Sequence, residues 1–147
     1  MLRVQRRPKS PPAGACRKIR LYPSAVDRLT LNEWFGAARW TYNKSLEYIN
    51  SKKAEDSSYT VNSDTKQELR DHFTTRAAME RHPEIDWEPI LRVPVTVRQS
   101  AVDDLIKAYN SNFAKRILNP DHKFEFKFRS KKHSERETIR IDCQSIQ

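Results

Sequence analysis

The sequence has 147 residues, with 28 Lys or Arg against 19 Asp or Glu, and its formal net charge is +9. A chain of this length fits one domain with a modest core, and the excess of basic residues makes nucleic acid the leading partner. Cys16 and Cys143 are too few and too scattered for a disulfide framework or a zinc ribbon. No apolar run approaches the length of a membrane span. We therefore expect a soluble, intracellular protein without membrane contact, located in the nucleus if the host is eukaryotic.

The amino-terminal part carries basic but no acidic residues as far as residue 22. Residues 1–15 contain three prolines and little apolar surface, which predicts a flexible basic arm. Such an arm either seeks a polyanion or only keeps the chain soluble. We expect folded structure from residue 16, so that residues 16–147 form a single domain that binds nucleic acid.

Three segments have the period-two alternation of a half-buried strand. They cover about residues 16–22, 123–130 and 136–142. In the first, Ile19 and Leu21 share one face, and in the second Phe124, Phe126 and Phe128 oppose a mostly basic face. The second and third segments are joined by a polar, basic connection that suits a hairpin. The sequence therefore predicts short antiparallel strands that form part of a barrel.

Between the first two strands, the sequence predicts a helical insertion over about residues 24–118. Ser24 followed by Asp27 is the start signal of a first helix, because the two residues can form a capping box. Asn119 and Pro120 end the last helix. Apolar residues of the first and last helices recur at spacings of three and four and predict one core: Phe35, Tyr42, Ile106, Tyr109 and Phe113. The fold class is therefore α+β, with a helical bundle inserted between the strands.

Three short motifs, in order along the chain, resemble one family. They are KIRLYP leading into FGAARWTYN, then PVTVRQSAVDDLIKAYNSNFAK, then FKFRSKK. These stretches are similar to the amino-terminal part of the TnpB/OrfB transposon-encoded proteins and their eukaryotic and viral Fanzor relatives. The resemblance implies a wedge-type partial barrel with a recognition lobe, and an RNA-guided DNA endonuclease as the parent protein. It implies guide RNA and DNA as partners, and a RuvC-like nuclease domain that lies outside this sequence.

This family region is also described as a helix-turn-helix domain, which would place a recognition helix in the major groove of DNA. The composition shows one long amphipathic helix here and does not locate a turn between two helices. The relatives resemble guide-RNA binders built from strands and a bundle.

Basic residues near aromatic ones are the candidate nucleic-acid contacts. On the first helix, Arg39 and Lys44 lie close in sequence to Trp34, Trp40 and Tyr42, and such a set could stack bases or simply pack a core. The basic strand is the better candidate, because its outer residues match the spacing of phosphates along a backbone. Its candidates are Lys127, Arg129, Lys131 and Lys132. A basic strand face can also serve only to resist aggregation.

A polar segment at the start of the second helix is the candidate for target-motif readout. It contains Tyr59, Asn62, Thr65 and Gln67. Asn and Gln can read adenine through two hydrogen bonds, and the family resemblance puts this segment where the recognition lobe approaches the motif that flanks the DNA target. Polar residues at a helix start are also ordinary caps.

Catalytic and metal-binding patterns are lacking in the sequence. The four histidines have no metal-ligand spacing, and the adjacent Asp103 and Asp104 project from different sides of a helix and are expected to face solvent. We therefore predict that this chain is not an enzyme and needs no cofactor. Two alternatives stay open: a stand-alone DNA-binding regulator or domesticated transposase remnant, and an inactive truncated fragment. The sequence does not set the oligomeric state.

Overall fold

A computed structural model describes residues 18–132 and 138–141, and the regular secondary structure in these residues is helical. The two long helices are α1 (Ala25–Glu55) and α5 (Val95–Leu118). Between them lie α2 (Ser63–Phe73) and two short helices, α3 (Ala77–Arg81) and α4 (Glu88–Leu91).

The start of α1 is fixed by the predicted capping box. The Asp27 amide donates to Ser24 Oγ at 3.2 Å, and the Ser24 amide donates to Asp27 Oδ2 at 3.0 Å. These hydrogen bonds from Ser24 hold the pKa of the Asp27 carboxyl below its usual range. Because the cap satisfies amide groups that have no partner inside the helix, α1 begins sharply. It then continues without a break through Gly36 to Glu55.

The contacts of α2 set the direction of the long helices. Trp40 meets Phe73 while Tyr48 donates a hydrogen bond to Glu68, so α2 runs antiparallel to α1. On the other side, Arg98 donates to the Thr74 carbonyl, and Asp103 pairs with Arg70 and Lys66. The helix α2 is therefore antiparallel to α5 as well, and α1 and α5 run in the same direction.

The core lies between α1, α2 and α5. Its most buried large side chains are Leu46, Ile49, Leu69, Leu105 and Tyr109, each at most 2% exposed. The predicted core residues Tyr42, Ile106 and Tyr109 are confirmed as buried members of this cluster, and Phe113 packs against it while partly buried. Phe35 is only half-buried.

The predicted α+β fold with a partial barrel is wrong for the residues that the structure describes, which contain helices and no strand or sheet. In the first predicted strand, Ile19 and Leu21 are 75% and 72% exposed rather than turned into a core. Residues 21–23 lie instead along the first turns of α1, where Leu21 and Trp34 border a shallow cavity of about 350 Å³. Without a neighbouring chain to pair with, the alternation there forms no sheet.

The second predicted strand keeps its alternation but has a helix as its partner. Phe124 and Phe126 are half-buried against α5, with ring centroids 5.5 Å from Phe113 and 4.1 Å from Tyr109, respectively. Phe128 is 57% exposed. Aromatic packing on α5 thus replaces the cross-strand pairing that a barrel would need. Of the third predicted strand only residues 138–141 are described, and they form no strand either; the predicted arm of residues 1–15 lies outside the described residues.

The connection from α2 to α5 is docked through a small second core. Trp87 is 5% exposed, meets Trp40 edge-on at 5.6 Å between ring centroids, and donates Nε1–H to the His82 carbonyl. The imidazole of His82 lies 3.0 Å from that of His72 on α2, measured between His82 Nε2 and His72 Nδ1. In this hydrogen bond one of the two ring nitrogens donates its N–H and the other accepts it.

The surroundings of His72 predict that this residue makes the fold less stable as the pH falls below 6.5. Burial, Arg81 and His82 lower the pKa of His72 below its ordinary value of 6.5. Below that pH His72 therefore binds more protons in the unfolded chain than in the folded chain, and its contribution to stability decreases toward acid. Urea unfolding between pH 7 and pH 5 should show this slope, and His72→Gln should flatten it. Parallel pH profiles for parent and variant would contradict this reading.

Two leucines of α5 give a matched test of the core. Leu105→Ala removes a side chain with 0% exposure and should lower the free energy of unfolding by about 2–5 kcal/mol. Leu118→Ala, at a position 87% exposed on the same helix, should change it by less than about 0.5 kcal/mol. Urea titrations measure both. Equal losses would mean that α5 does not bury the face assigned to it.

Candidate nucleic-acid interface

The segment that follows α5 carries the densest group of exposed basic residues in the described chain. Its exposed members are Lys123, Lys127, Arg129, Lys131 and Lys132. The segment has no regular structure, so its position depends on side-chain contacts with the helices. Some of these cations are used inside the protein, and others remain available to a phosphate backbone.

Asn43 of α1 holds the backbone of this segment. Its Nδ2 donates to the Arg129 carbonyl at 2.9 Å, and its Oδ1 accepts from the Arg129 amide at 2.8 Å. One carboxamide thus satisfies both polar groups of one residue, as a neighbouring strand would. The clamp fixes the basic segment against α1 although 86 positions separate the two residues.

The Arg129 side chain is also engaged with the bundle. Its guanidinium lies over the Tyr42 ring, 3.8 Å from the ring centroid, and 4.0 Å from the Asp104 carboxylate. Burial raises the pKa of the Tyr42 hydroxyl, although the Arg129 charge opposes that effect. A stacked guanidinium near a carboxylate stabilises the docked segment. Part of the positive charge of Arg129 is therefore offset within the protein.

Lys127 and Lys132 are exposed and make no hydrogen bond or ion pair within residues 18–132 and 138–141. They are the cations that the Asn43 clamp presents to solvent. Lys131 is also exposed and has a contact of its own in the protein. Of the four basic residues predicted on the strand, Arg129 therefore contacts the bundle, whereas Lys127, Lys131 and Lys132 are exposed to solvent.

The two candidates on α1 are both half-buried. Lys44 is paired with Glu47 at 2.8 Å, between the ammonium nitrogen and Oε2. Arg39 also has a contact within the protein. Among the neighbouring aromatic residues, Tyr42 is buried, and Trp34 and Trp40 pack against the main core. The aromatic residues of α1 thus serve the core here.

The candidate readout residues lie at the start of α2. Asn62 is its N-cap: Oδ1 accepts from the amides of Asp64 and Thr65, and the Thr65 hydroxyl accepts from the Asn62 amide. Tyr59 is 3.4 Å from that hydroxyl, and Gln67 donates to Asp71. Base readout by these residues stays a prediction, and each of them already makes a side-chain hydrogen bond within the protein.

A second basic surface was missed from the sequence. Lys53, Arg116 and Lys123 border one groove together with the rings of Tyr59 and Phe124, near the carboxyl ends of α1 and α5. These residues are spread over three separate segments, so no local pattern reveals the groove. The nearest signal was the i, i+3 spacing of Phe113 and Arg116 on one helix.

A metal site needs several ligand side chains that converge on one point, and the acidic side chains of the described residues do not converge in this way. Asp103, predicted to face solvent, has a side chain only 16% exposed and pairs with Arg70 at 2.7 Å and Lys66 at 3.2 Å. Among the described residues no three His, Cys, Asp or Glu side chains come together as a potential metal site. None of the helices described is long and apolar enough to cross a membrane.

The comparisons with known proteins identify one region. A helical bundle that carries exposed basic surface is a common form of nucleic-acid-binding domain. Residues 15–56 match the family model of the helix-turn-helix domain found in OrfB-type transposases. The match agrees with a resemblance of this region to OrfB-type transposases and indicates DNA as a partner. Searches of curated proteins and of solved structures give no match.

The described part of the matched region has one helix. Residues 18–23 have no regular structure, Ser24 is the cap, and α1 then runs unbroken to Glu55. A turn between two helices is therefore not present in residues 18–56. The buried face of α1 is packed against α2 and α5.

Asn43 gives a test of the docked basic segment. Asn43→Ala removes both hydrogen bonds to the Arg129 backbone and should destabilise its docking by about 1–2 kcal/mol. Hydrogen exchange of the Arg129 amide should become faster, and trypsin should cut after Lys127 more readily. Asn50→Ala, at an exposed asparagine of the same helix, is the matched control and should change neither. Unchanged exchange in Asn43→Ala would contradict the clamp.

Proposed function

We propose that this chain binds nucleic acid as the amino-terminal part of a transposon-associated, RNA-guided DNA endonuclease, contacting both guide RNA and target DNA. The match of residues 15–56 to the OrfB-type helix-turn-helix domain carries this proposal. The net charge of +9 supports it, because a polyanion is the natural partner of such an excess. The resemblance of two later motifs, in α5 and in the basic segment, extends the same assignment beyond the matched residues.

Binding uses the basic segment that Asn43 holds against α1. Lys127 and Lys132 are exposed and have no internal partner among the described residues, so their charges are available for phosphates. A docked segment loses less conformational freedom on binding than a free arm with the same charges would. The contact is electrostatic and reads no sequence.

The chain itself is proposed to be non-catalytic. Phosphodiester cleavage by two metal ions needs carboxylates that converge on one point. Asp103 is neutralised by Arg70 and Lys66, and Asp104 lies near Arg129, so the adjacent aspartates serve the packing of α5. Cleavage would come from a RuvC-like domain supplied by the rest of the parent protein.

The second candidate is a stand-alone DNA-binding regulator derived from a transposase, which needs no RNA. The helix-turn-helix description of the matched domain favours it. Purification followed by sequencing of bound RNA separates the two. A discrete RNA species that is required for DNA binding supports the guided function, whereas unchanged DNA binding after ribonuclease treatment supports the regulator.

The basic segment provides the quantitative test. Lys127→Gln combined with Lys132→Gln should weaken binding to duplex DNA and lower the slope of log affinity against log salt by roughly 0.9 for each phosphate that is no longer neutralised. Arg76→Gln combined with Arg92→Gln removes two exposed charges elsewhere and is the control. Fluorescence anisotropy at several salt concentrations measures both. If the control variant weakens binding as much as the test variant, binding follows net charge and this surface has no special part.

A further inference from the structure

A groove of about 580 Å³ opens where the carboxyl ends of α1 and α5 meet the first residues of the basic segment. We call it the basic groove and define it by its cations, Lys53, Arg116 and Lys123, and its rings, Tyr59, Phe113 and Phe124. Its volume is in the range of pockets that hold small ligands. It is separate from the surface formed by Lys127 and Lys132, which do not border it.

The cations of the basic groove lack carboxylate partners within the described residues. Lys53 is half-buried, its ammonium lies over the Tyr109 ring at 4.5 Å and 3.4 Å from the Tyr109 hydroxyl, and burial lowers its pKa. Arg116 and Lys123 are exposed and make no hydrogen bond or ion pair in the same part of the chain. A half-buried ammonium without a counter-ion is costly. Asp121 is the one acidic residue among the described residues at the rim, so the lining keeps a positive excess.

Two rings of the basic groove, Phe113 and Phe124, form a connected aromatic group with the imidazole of His122. Phe113 and Phe124 meet edge-on with centroids 5.5 Å apart, and the His122 ring stacks on Phe124 at 5.9 Å with planes 28° apart. His122 is itself fixed by Asn112, with 3.0 Å between Nε2 and Oδ1. These rings and Tyr59 are half-buried, so each leaves part of its surface toward the groove.

We propose that the basic groove binds an unpaired nucleotide of a nucleic-acid strand, with the base against its rings and the phosphates on Lys53, Arg116 and Lys123. The proposal rests on the nucleic-acid binding proposed above and adds a site for single strands. Aromatic surface beside unpaired cations is what single-strand binding uses, because every base has a stacking face and every link has a phosphate. A duplex keeps its bases stacked on one another and cannot offer one to the groove.

The test compares a short labelled oligo(U) with a hairpin duplex by fluorescence anisotropy, using the full chain. Arg116→Gln combined with Lys123→Gln should weaken oligo(U) binding and lower its salt slope by roughly 0.7 for each phosphate that is no longer neutralised. Lys107→Gln combined with Lys115→Gln removes two exposed charges from α5 outside the groove and should leave oligo(U) binding close to that of the parent. Equal weakening in the two variants would overturn the site.

A second variant tests the stacking apart from the charge. Phe124→Leu keeps an apolar side chain against α5 but removes the ring, and it should weaken oligo(U) binding by roughly five- to hundredfold. An oligonucleotide containing 2-aminopurine should be quenched by the parent and not by this variant. Thermal unfolding of each variant checks that the fold is kept. Quenching that survives in Phe124→Leu would overturn the stacking role.

The outcomes separate this site from the proposed function. If the unsubstituted chain binds duplex and oligo(U) is bound equally well by the chain with and without the groove substitutions, the groove proposal alone is overturned. A parent that binds neither probe would overturn both. Competition by free UMP distinguishes the source of the nucleotide, since displacement of oligo(U) at equal nucleotide concentration would mean a mononucleotide site and would overturn the assignment to a strand.

Discussion

The packing of α1 against α5 in the same direction is the constraint on which the rest of the structure depends. Two such helices cannot be joined by a short turn, so the chain must return along the bundle between them. To run back along a helix of the length of α5, the connecting chain must span about 36 Å, and α2 is about 17 Å long. The remainder falls to the segment with α3 and α4. Trp87 and the contact between His72 and His82 fix that segment, and they therefore help to hold α1 and α5 in place.

The same packing creates the platform for the basic segment. Tyr42 from α1 and Tyr109 from α5 lie on adjoining parts of the core, and they receive Arg129 and Phe126, respectively. Burial raises the pKa of Tyr109 to about 12, because the charged form would lose its solvation in the core. The Asn43 clamp then puts the exposed lysines beside the region that matches the helix-turn-helix domain. Two parts of the chain far apart in sequence thus present one surface.

Features set by neighbouring residues were predictable from the sequence. The capping box at Ser24 and the end of α5 at Asn119 depend on contacts within a few positions, and both are confirmed. The alternation around Phe124 and Phe126 correctly predicted that these side chains face inward, but it wrongly predicted a neighbouring strand where the structure has α5. Periodicity indicates which side of a segment is buried and not which element covers it. The alternation of Ile19 and Leu21 was equally regular, yet both side chains are exposed.

The candidate site depended more on distant contacts and was predicted less completely. The basic segment was recognised as a charged stretch, but the role of Arg129 against Tyr42 and the clamp by Asn43 join positions on α1 to a segment beyond α5. The basic groove combines Lys53 with Arg116 and Lys123 in the same way. Composition shows that such charges exist; only the direction of the helices decides which of them share a surface.

The continuity of α1 decides how the helix-turn-helix match is to be understood. A turn between two helices would have to interrupt α1, and Gly36 is the one residue of its interior whose helix propensity is low by about 1 kcal/mol relative to Ala. A break there would separate Trp34 from Ala37 and Ala38, which lie on the face that packs into the core. Trp34 is only partly buried, but it packs against the same core as Ala37 and Ala38, and this shared packing favours the unbroken helix. In the described residues the helix-turn-helix match therefore falls on one continuous helix, with the basic segment held beside it by Asn43.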